Sequence, residues 1–340
     1  MIFKKFLPAL LAVLLLPACK AEEGPEAPCQ IQFMAMDTIM TFTLYGEDAQ
    51  SAAVLGKQRV QELEALLSVT AEGSDLDRVN HAAGQPVELS AGTRQLLADA
   101  LALCASTDGA LDVTMYPVVR AWGFTTGEYR VPESDELSAL LERVDFARVS
   151  LEGNTLTIPA DMELDLGAVA KGFTGDQLME LFAASGVTSA IVELGGNIQT
   201  LGAKPDGSPW RVAVQSPDGG YAGALEIIDK AAVTSGGYQR YFEQDGETYW
   251  HIMDPATGRP ARSGLVSVTI VTDRGVEADG LSTALFVMGK DRAAAYWKTH
   301  PGFDFILIDE DGCVTVTEGL ENSFSLYGDW IGSPLEIICR

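Results

Sequence analysis

The sequence predicts an α+β fold. Apolar residues at helical spacing dominate the N-terminal half, hairpin and strand signals crowd the C-terminal half, and no internal repeat or low-complexity block interrupts either. Segregated patterns of this kind favour helices packed against sheets.

The elements follow in order. Residues 30–45 hold alternating stretches of β-formers and read as one or two strands. Over 49–67, Val54, Leu55, Val60, Leu63, Leu66 and Leu67 keep helical spacing. Residues 92–105 form a second helix, closed by the breaker Thr107-Asp108-Gly109. A third spans 134–144, with Ser134 as its N-cap candidate. Residues 149–158 make a hairpin around Gly153-Asn154, and 132–159 is a candidate subdomain boundary. A helix over 169–184 stops at Gly186. A buried-type strand fills 188–193, and others follow at about 198–202, 210–215, 223–228 and 231–234. Strands 239–244 and 248–253 are joined by the turn Asp245-Gly246. After a strand at 264–272 come helices at 278–288 and 292–298, then a hairpin of 304–308 and 313–317 around Asp311-Gly312.

Residues 1–18 read as a lipoprotein signal peptide. Lys4 and Lys5 give a positive start, 6–16 is apolar apart from Pro8, and Leu16-Pro17-Ala18-Cys19 places cleavage before a cysteine that would carry the lipid. The apolar run falls short of the about 20 residues a membrane span needs. Residues 19–30 form an acidic, proline-containing tether expected to be disordered, leaving 31–340 for the folded domain. The chain is therefore expected to be exported and held at the periplasmic or extracellular face of a bacterial membrane through Cys19. Its formal charge of -25 argues against nucleic acid as a partner, and an anionic ligand needs concentrated donors or a metal to enter. Cys29, Cys104, Cys313 and Cys339 allow three full pairings, among which spacing does not choose.

Several short motifs carry chemistry. His251, one of three histidines, closes the hairpin at 239–253, and Asp254-Pro255-Ala256-Thr257-Gly258 turns the chain behind it. His251 is a candidate acid/base. Asp254 either orients it or only builds the turn. Asp279 and Thr283, four apart, share a helix face and offer two hard oxygen donors, the kind magnesium takes; the alternative is that Asp279 merely caps its helix. In Asp165-Leu166-Gly167-Ala168-Val169-Ala170-Lys171-Gly172 an acid ends a strand and a lysine lies in the first turn of a helix, where phosphate is favoured; an ordinary connection is the plainer reading. Gly195-Gly196-Asn197 and Thr234-Ser235-Gly236 let backbone approach a ligand or simply turn the chain. The aromatics of Ala121-Trp122-Gly123-Phe124 stack on a planar ring or pack in the core.

The order of these motifs is more specific than any one of them. Met36-Asp37-Thr38, Ser74 to Asn80, Asp165 to Gly172, Gly195-Gly196-Asn197, Thr234-Ser235-Gly236, His251 to Gly258 and Ala278 to Ala284 resemble the ApbE family, the FAD:protein FMN transferases, over about residues 33–289. The resemblance implies an exported, often lipid-anchored α+β enzyme that binds FAD and Mg2+. Such an enzyme releases AMP and joins FMN through a phosphoester to a threonine or serine of a target protein. It implies magnesium on Asp279, Thr283 and the Ala168 carbonyl, FAD contacts from Asp165 and Lys171, and Met36 and the turn Ala121, Trp122, Gly123, Phe124 near the flavin or adenine. His251 would stand beside the phosphates as the base. It further implies, as partners, flavoprotein subunits of redox-driven ion pumps or other exported flavoproteins, and a possible homodimer. Hydrolysis of FAD to FMN and AMP, and flavin holding without turnover, are the alternative functions. Three departures stand out: Asp37 replaces a glycine, Thr70 replaces an aromatic residue, and Gly280 lies inside the Asp/Thr helix at about 1 kcal/mol.

Overall fold

The structure, a computed structural model, describes residues 27–340. The signal peptide, Cys19 and most of the tether lie outside the described residues. Among those described, no helix is long and apolar enough to cross a membrane.

A nine-stranded sheet runs through the molecule in the order Cys29–Ala35, Thr38–Tyr45, Ser189–Leu194, Asn197–Leu201, Ala231–Gly236, Leu265–Thr272, Phe303–Asp309, Val314–Thr317 and Leu335–Ile338. Every neighbouring pair is antiparallel except the last, which is parallel. The mixed α+β class holds, with a difference: the sheet draws strands from both ends of the chain. The N-terminal hairpin completes one edge of a sheet whose other strands come from the C-terminal half, so helices and strands are less segregated than the pattern suggests.

The helices Ala49–Leu67, Ala91–Ser106, Gly167–Ala184 and Gly275–Met288 cover the sheet. One core joins Leu96, Leu164, Val169, Ile270, Leu281 and Phe286, all at most 1% exposed. Leu156 and Ile158 belong to it, whereas Leu137 packs in a separate cluster with Met115, Trp122 and Met253. Ser134 is the first helical residue of Ser134–Leu141 and provides no cap; Glu133 precedes it, and the Ser134 hydroxyl instead accepts Arg259 at 3.0 Å. Cys29, Cys104, Cys313 and Cys339 are all free thiols. Gly280 packs closely against its neighbours: a methyl there would stand 2.7 Å from Leu103 Cδ1, and that side chain would have to shift.

Met36 and Asp37 turn the first hairpin with φ of 47° and 58°. Two successive left-handed residues are the pattern of a tight two-residue hairpin turn, which favours glycine second. Asp37→Gly is therefore expected to stabilise the fold by up to about 1 kcal/mol, the order of the left-handed penalty for an L-residue less the extra chain entropy of glycine. A urea melt checks this; an unmoved midpoint would mean the Asp37 side chain compensates.

Candidate active site

Two helices and a hairpin build the site. Helices Gly167–Ala184 and Gly275–Met288 cross at Gly172 and Gly275. A methyl on Gly172 would lie 2.1 Å from the Gly275 carbonyl oxygen, and one on Gly275 2.4 Å from the Gly172 carbonyl oxygen. Only glycine at both places allows the backbones to approach this closely. The second helix starts at Gly275, three residues before the expected start, so Asp279 lies in its second turn and is not a cap. Its Oδ2 accepts the Gly172 N–H at 2.9 Å. That donor is the one an α-helix aims at the Ala168 carbonyl, which stands four residues earlier.

Asp279 is 4% exposed. Burial pushes its carboxyl above the ordinary range, against the pull of the Lys171 charge. Thr283, one turn on, lies 3.5 Å from the Ser235 hydroxyl, which also meets Ser282 at 2.7 Å. Asp165 accepts the Gly167 N–H at 2.8 Å, and burial raises its carboxyl too, opposed by Arg240 and Lys171.

The histidine hairpin pairs Tyr241–Gln244 with Glu247–Trp250. The expected strand at 248–253 ends at Trp250, and His251, next in register, lies opposite the Arg240 carbonyl. That oxygen accepts the His251 backbone N–H at 3.1 Å and faces the ring Nδ1 at 3.2 Å. A carbonyl only accepts, so the contact assigns the proton to Nδ1 and leaves the lone pair on Nε2. Burial holds the imidazole at about 4, opposed by the Arg240 carbonyl and reinforced by the Lys171 and Arg240 charges. His251 is thus neutral near pH 7. Asp254 does not touch it: its oxygens accept Ala256 N at 2.9 Å and Thr257 Oγ1 at 3.2 Å, so it builds the turn.

Met36, Asp165, Ala168, Lys171, His251, Asp279 and Thr283 line one cavity of ≈ 310 Å³. Ala121, Trp122 and Gly123 do not line it. Trp122 is fully buried, donates its indole N–H to the Gly258 carbonyl at 2.8 Å and packs behind the wall against Tyr249. Core packing claims this ring, and Tyr116 and Phe124 are the aromatic rings that line the cavity. Arg240 donates to the Phe124 carbonyl and so ties that wall to the hairpin. Thr70 is exposed and bonds Ser68, away from the cavity. Thr125 Oγ1 is buried without a hydrogen-bond partner, and Thr125 lines the cavity. An unmet buried polar group costs about 1–3 kcal/mol, so this atom marks a place a ligand or water completes.

Sequence reasoning missed Asp176. Its Oδ1 accepts Gly275 N at 2.6 Å and its Oδ2 accepts Val276 N at 3.0 Å, capping the second helix from the first. A signal existed: Gly172 and Asp176 repeat the spacing of Gly275 and Asp279.

The ApbE family model matches residues 36–307. The chain belongs to the ApbE family. A relative from Vibrio cholerae named FAD:protein FMN transferase is 36% identical over 86% of this chain and 90% of its own length. One of the same name from Treponema pallidum is 37% identical over 77% and 78%. The solved ApbE protein of Thermotoga maritima matches with a TM-score of 0.82 at 30% identity, covering 86% of this chain and 97% of that one. The apo flavinyl transferase ApbE of Pseudomonas stutzeri gives 0.79 at 30% identity over 88% and 97%. For this ApbE-family chain, the matched span contains every residue named above as lining the cavity.

Proposed function

We propose that this chain is a Mg2+-dependent FAD:protein FMN transferase. The observation that carries the reading is the gathering of Asp279, Thr283, Ala168, Lys171 and His251 around one cavity, in a chain whose relatives bear that name. Among the described residues no three His, Cys, Asp or Glu side chains cluster as a metal site. The donors on offer are one buried carboxylate, one hydroxyl and one carbonyl, all hard oxygens. That set suits magnesium, which keeps room for water and phosphate oxygens. The unmet Thr125 hydroxyl in the same cavity also fits a polar ligand. Asp279, Thr283 and the Ala168 carbonyl would hold the ion, which when bound draws charge from the pyrophosphate.

In the proposed reaction an acceptor threonine or serine oxygen bonds to the phosphorus of the FMN half. The pyrophosphate P–O bond breaks, and AMP leaves with that electron pair. His251 Nε2 takes the hydroxyl proton. Lys171 and Arg240 supply positive charge toward the phosphates. Asp165 and Met36 border the dinucleotide.

The test incubates the full chain with FAD, Mg2+ and a tagged acceptor domain. A mass gain of one FMN on the acceptor is the expected result. AMP release without labelling would move the reading to hydrolysis, and no AMP would overturn catalysis altogether. The acceptor is read as an exported flavoprotein, such as a subunit of a redox-driven ion pump. The chain itself is read as lipid-anchored through Cys19. Cys19→Ser is expected to shift it from the membrane pellet to the soluble fraction; continued pelleting would overturn the anchor.

A further inference from the structure

The two crossing helices hold each other by a reciprocal contact. Each carries a glycine followed one turn later by an aspartate. Asp279 Oδ2 accepts the Gly172 N–H at 2.9 Å, and Asp176 Oδ1 accepts the Gly275 N–H at 2.6 Å. The two bonds lie on either side of a backbone contact in which neither glycine tolerates a methyl. Asp279 faces the cavity. Asp176 does not line it and faces a separate cleft that also holds Gln199 and Arg274.

Asp176 is well placed to fix the start of the second helix. The N-cap residue, Arg274, gives no side-chain bond, so the first free N–H groups of the helix depend on Asp176. Gln199 completes the joint. Its Nε2 donates to Asp176 Oδ1 at 3.2 Å and to the Gly172 carbonyl at 3.1 Å. A methyl on Gly275 would sit 1.4 Å from that same nitrogen, so the amide closes the joint from behind. Rotation or fraying of the first turn would carry Asp279 and Thr283 with it, since they follow by one and two turns on the same rigid element.

We propose that Asp176 is a positioning residue for the cation site: it sets the seat of the Gly275–Met288 helix and thereby the aim of Asp279 and Thr283. The inference rests on the reading of that site as a Mg2+ site. Partners that orient a metal ligand without touching the metal are worth about 10–100-fold in affinity.

The experiment measures Mn2+ binding to the full-length chain by electron paramagnetic resonance, without FAD and without turnover. Asp176→Ala is expected to weaken Mn2+ binding roughly 10-fold or more. Asp176→Asn keeps the shape and one acceptor oxygen and is expected to fall between the two. It is the variant to read where alanine fails to fold. The Mg2+ needed for half-maximal FAD cleavage should rise in the same order, while KM for FAD at saturating Mg2+ stays put. Wild-type affinity in a folded Asp176→Asn or Asp176→Ala chain, with only melting temperature lowered, would overturn the positioning role alone. Failure of the wild-type chain to bind Mn2+ would overturn the cation reading itself, and this inference with it.

Discussion

Replacing Asp279 by asparagine is expected to lower FAD cleavage by more than about 10²-fold while leaving the fold intact or more stable. Asparagine matches the shape of aspartate and keeps an oxygen for the Gly172 N–H. It removes a charge that burial penalises. The sign of that penalty is fixed by the raised carboxyl. In the unfolded chain Asp279 ionises at its ordinary value of 3.8, whereas the folded chain resists ionisation until higher pH. The unfolded state therefore binds fewer protons in that window, and the metal-free protein loses stability as pH rises through it. The variant escapes this loss. A divalent cation reverses the situation by stabilising the carboxylate, so Mg2+ with FAD should raise the melting temperature of the wild type and leave the variant unmoved. Full activity in Asp279→Asn, measured as AMP release, would remove the carboxylate from the mechanism.

The second large effect concerns His251. His251→Ala is expected to slow transfer by about 10²–10⁴-fold, the usual range for a general base. The wild-type pH profile should carry the more specific mark. With the imidazole held at about 4, the acid limb of kcat/KM is expected well below the ordinary histidine value of 6.5. The limb in kcat reports the complex, where bound phosphates favour the protonated ring, so it should lie at higher pH than the limb in kcat/KM. A free-enzyme limb at or above 6.5 would contradict the desolvated, neutral imidazole. The same shift affects stability in a defined direction. Below 6.5 the unfolded chain takes up a proton that the folded one refuses until about 4. The His251 contribution is intact above 6.5, falls across that interval and is flat beneath it.

Much of this architecture was legible along the chain because it is written locally. The helix Ala49–Leu67 and the hairpin around Asp245-Gly246 follow from apolar spacing and from turn chemistry within a few residues. Features that depend on distant groups were harder to read. The start of the Gly275–Met288 helix carries no local cap, because Asp176 supplies one from a hundred residues away. The strand toward His251 ends one residue short of it, where the Arg240 carbonyl meets both its backbone N–H and its ring Nδ1. Trp122 and Phe124 are neighbours of one chemical kind, and only packing decides that the first is walled in while the second fronts the cavity. The final parallel strand, Leu335–Ile338, pairs with a segment whose sequence gives no hint of it. The cavity residues themselves were recoverable because their motifs keep a characteristic order.

Of the three groups proposed to hold the cation, only Asp279 carries charge, and that has a thermodynamic consequence for how the enzyme would load. With so little ligand charge to hold it, such an ion would gain much of its grip from the dinucleotide, whose own negative charge it would mask in turn. Occupancy by either would raise affinity for the other, and linkage requires the two enhancements to be equal. A molecule without its dinucleotide would then hold the ion measurably but less tightly, and arrival of the second ligand would secure both.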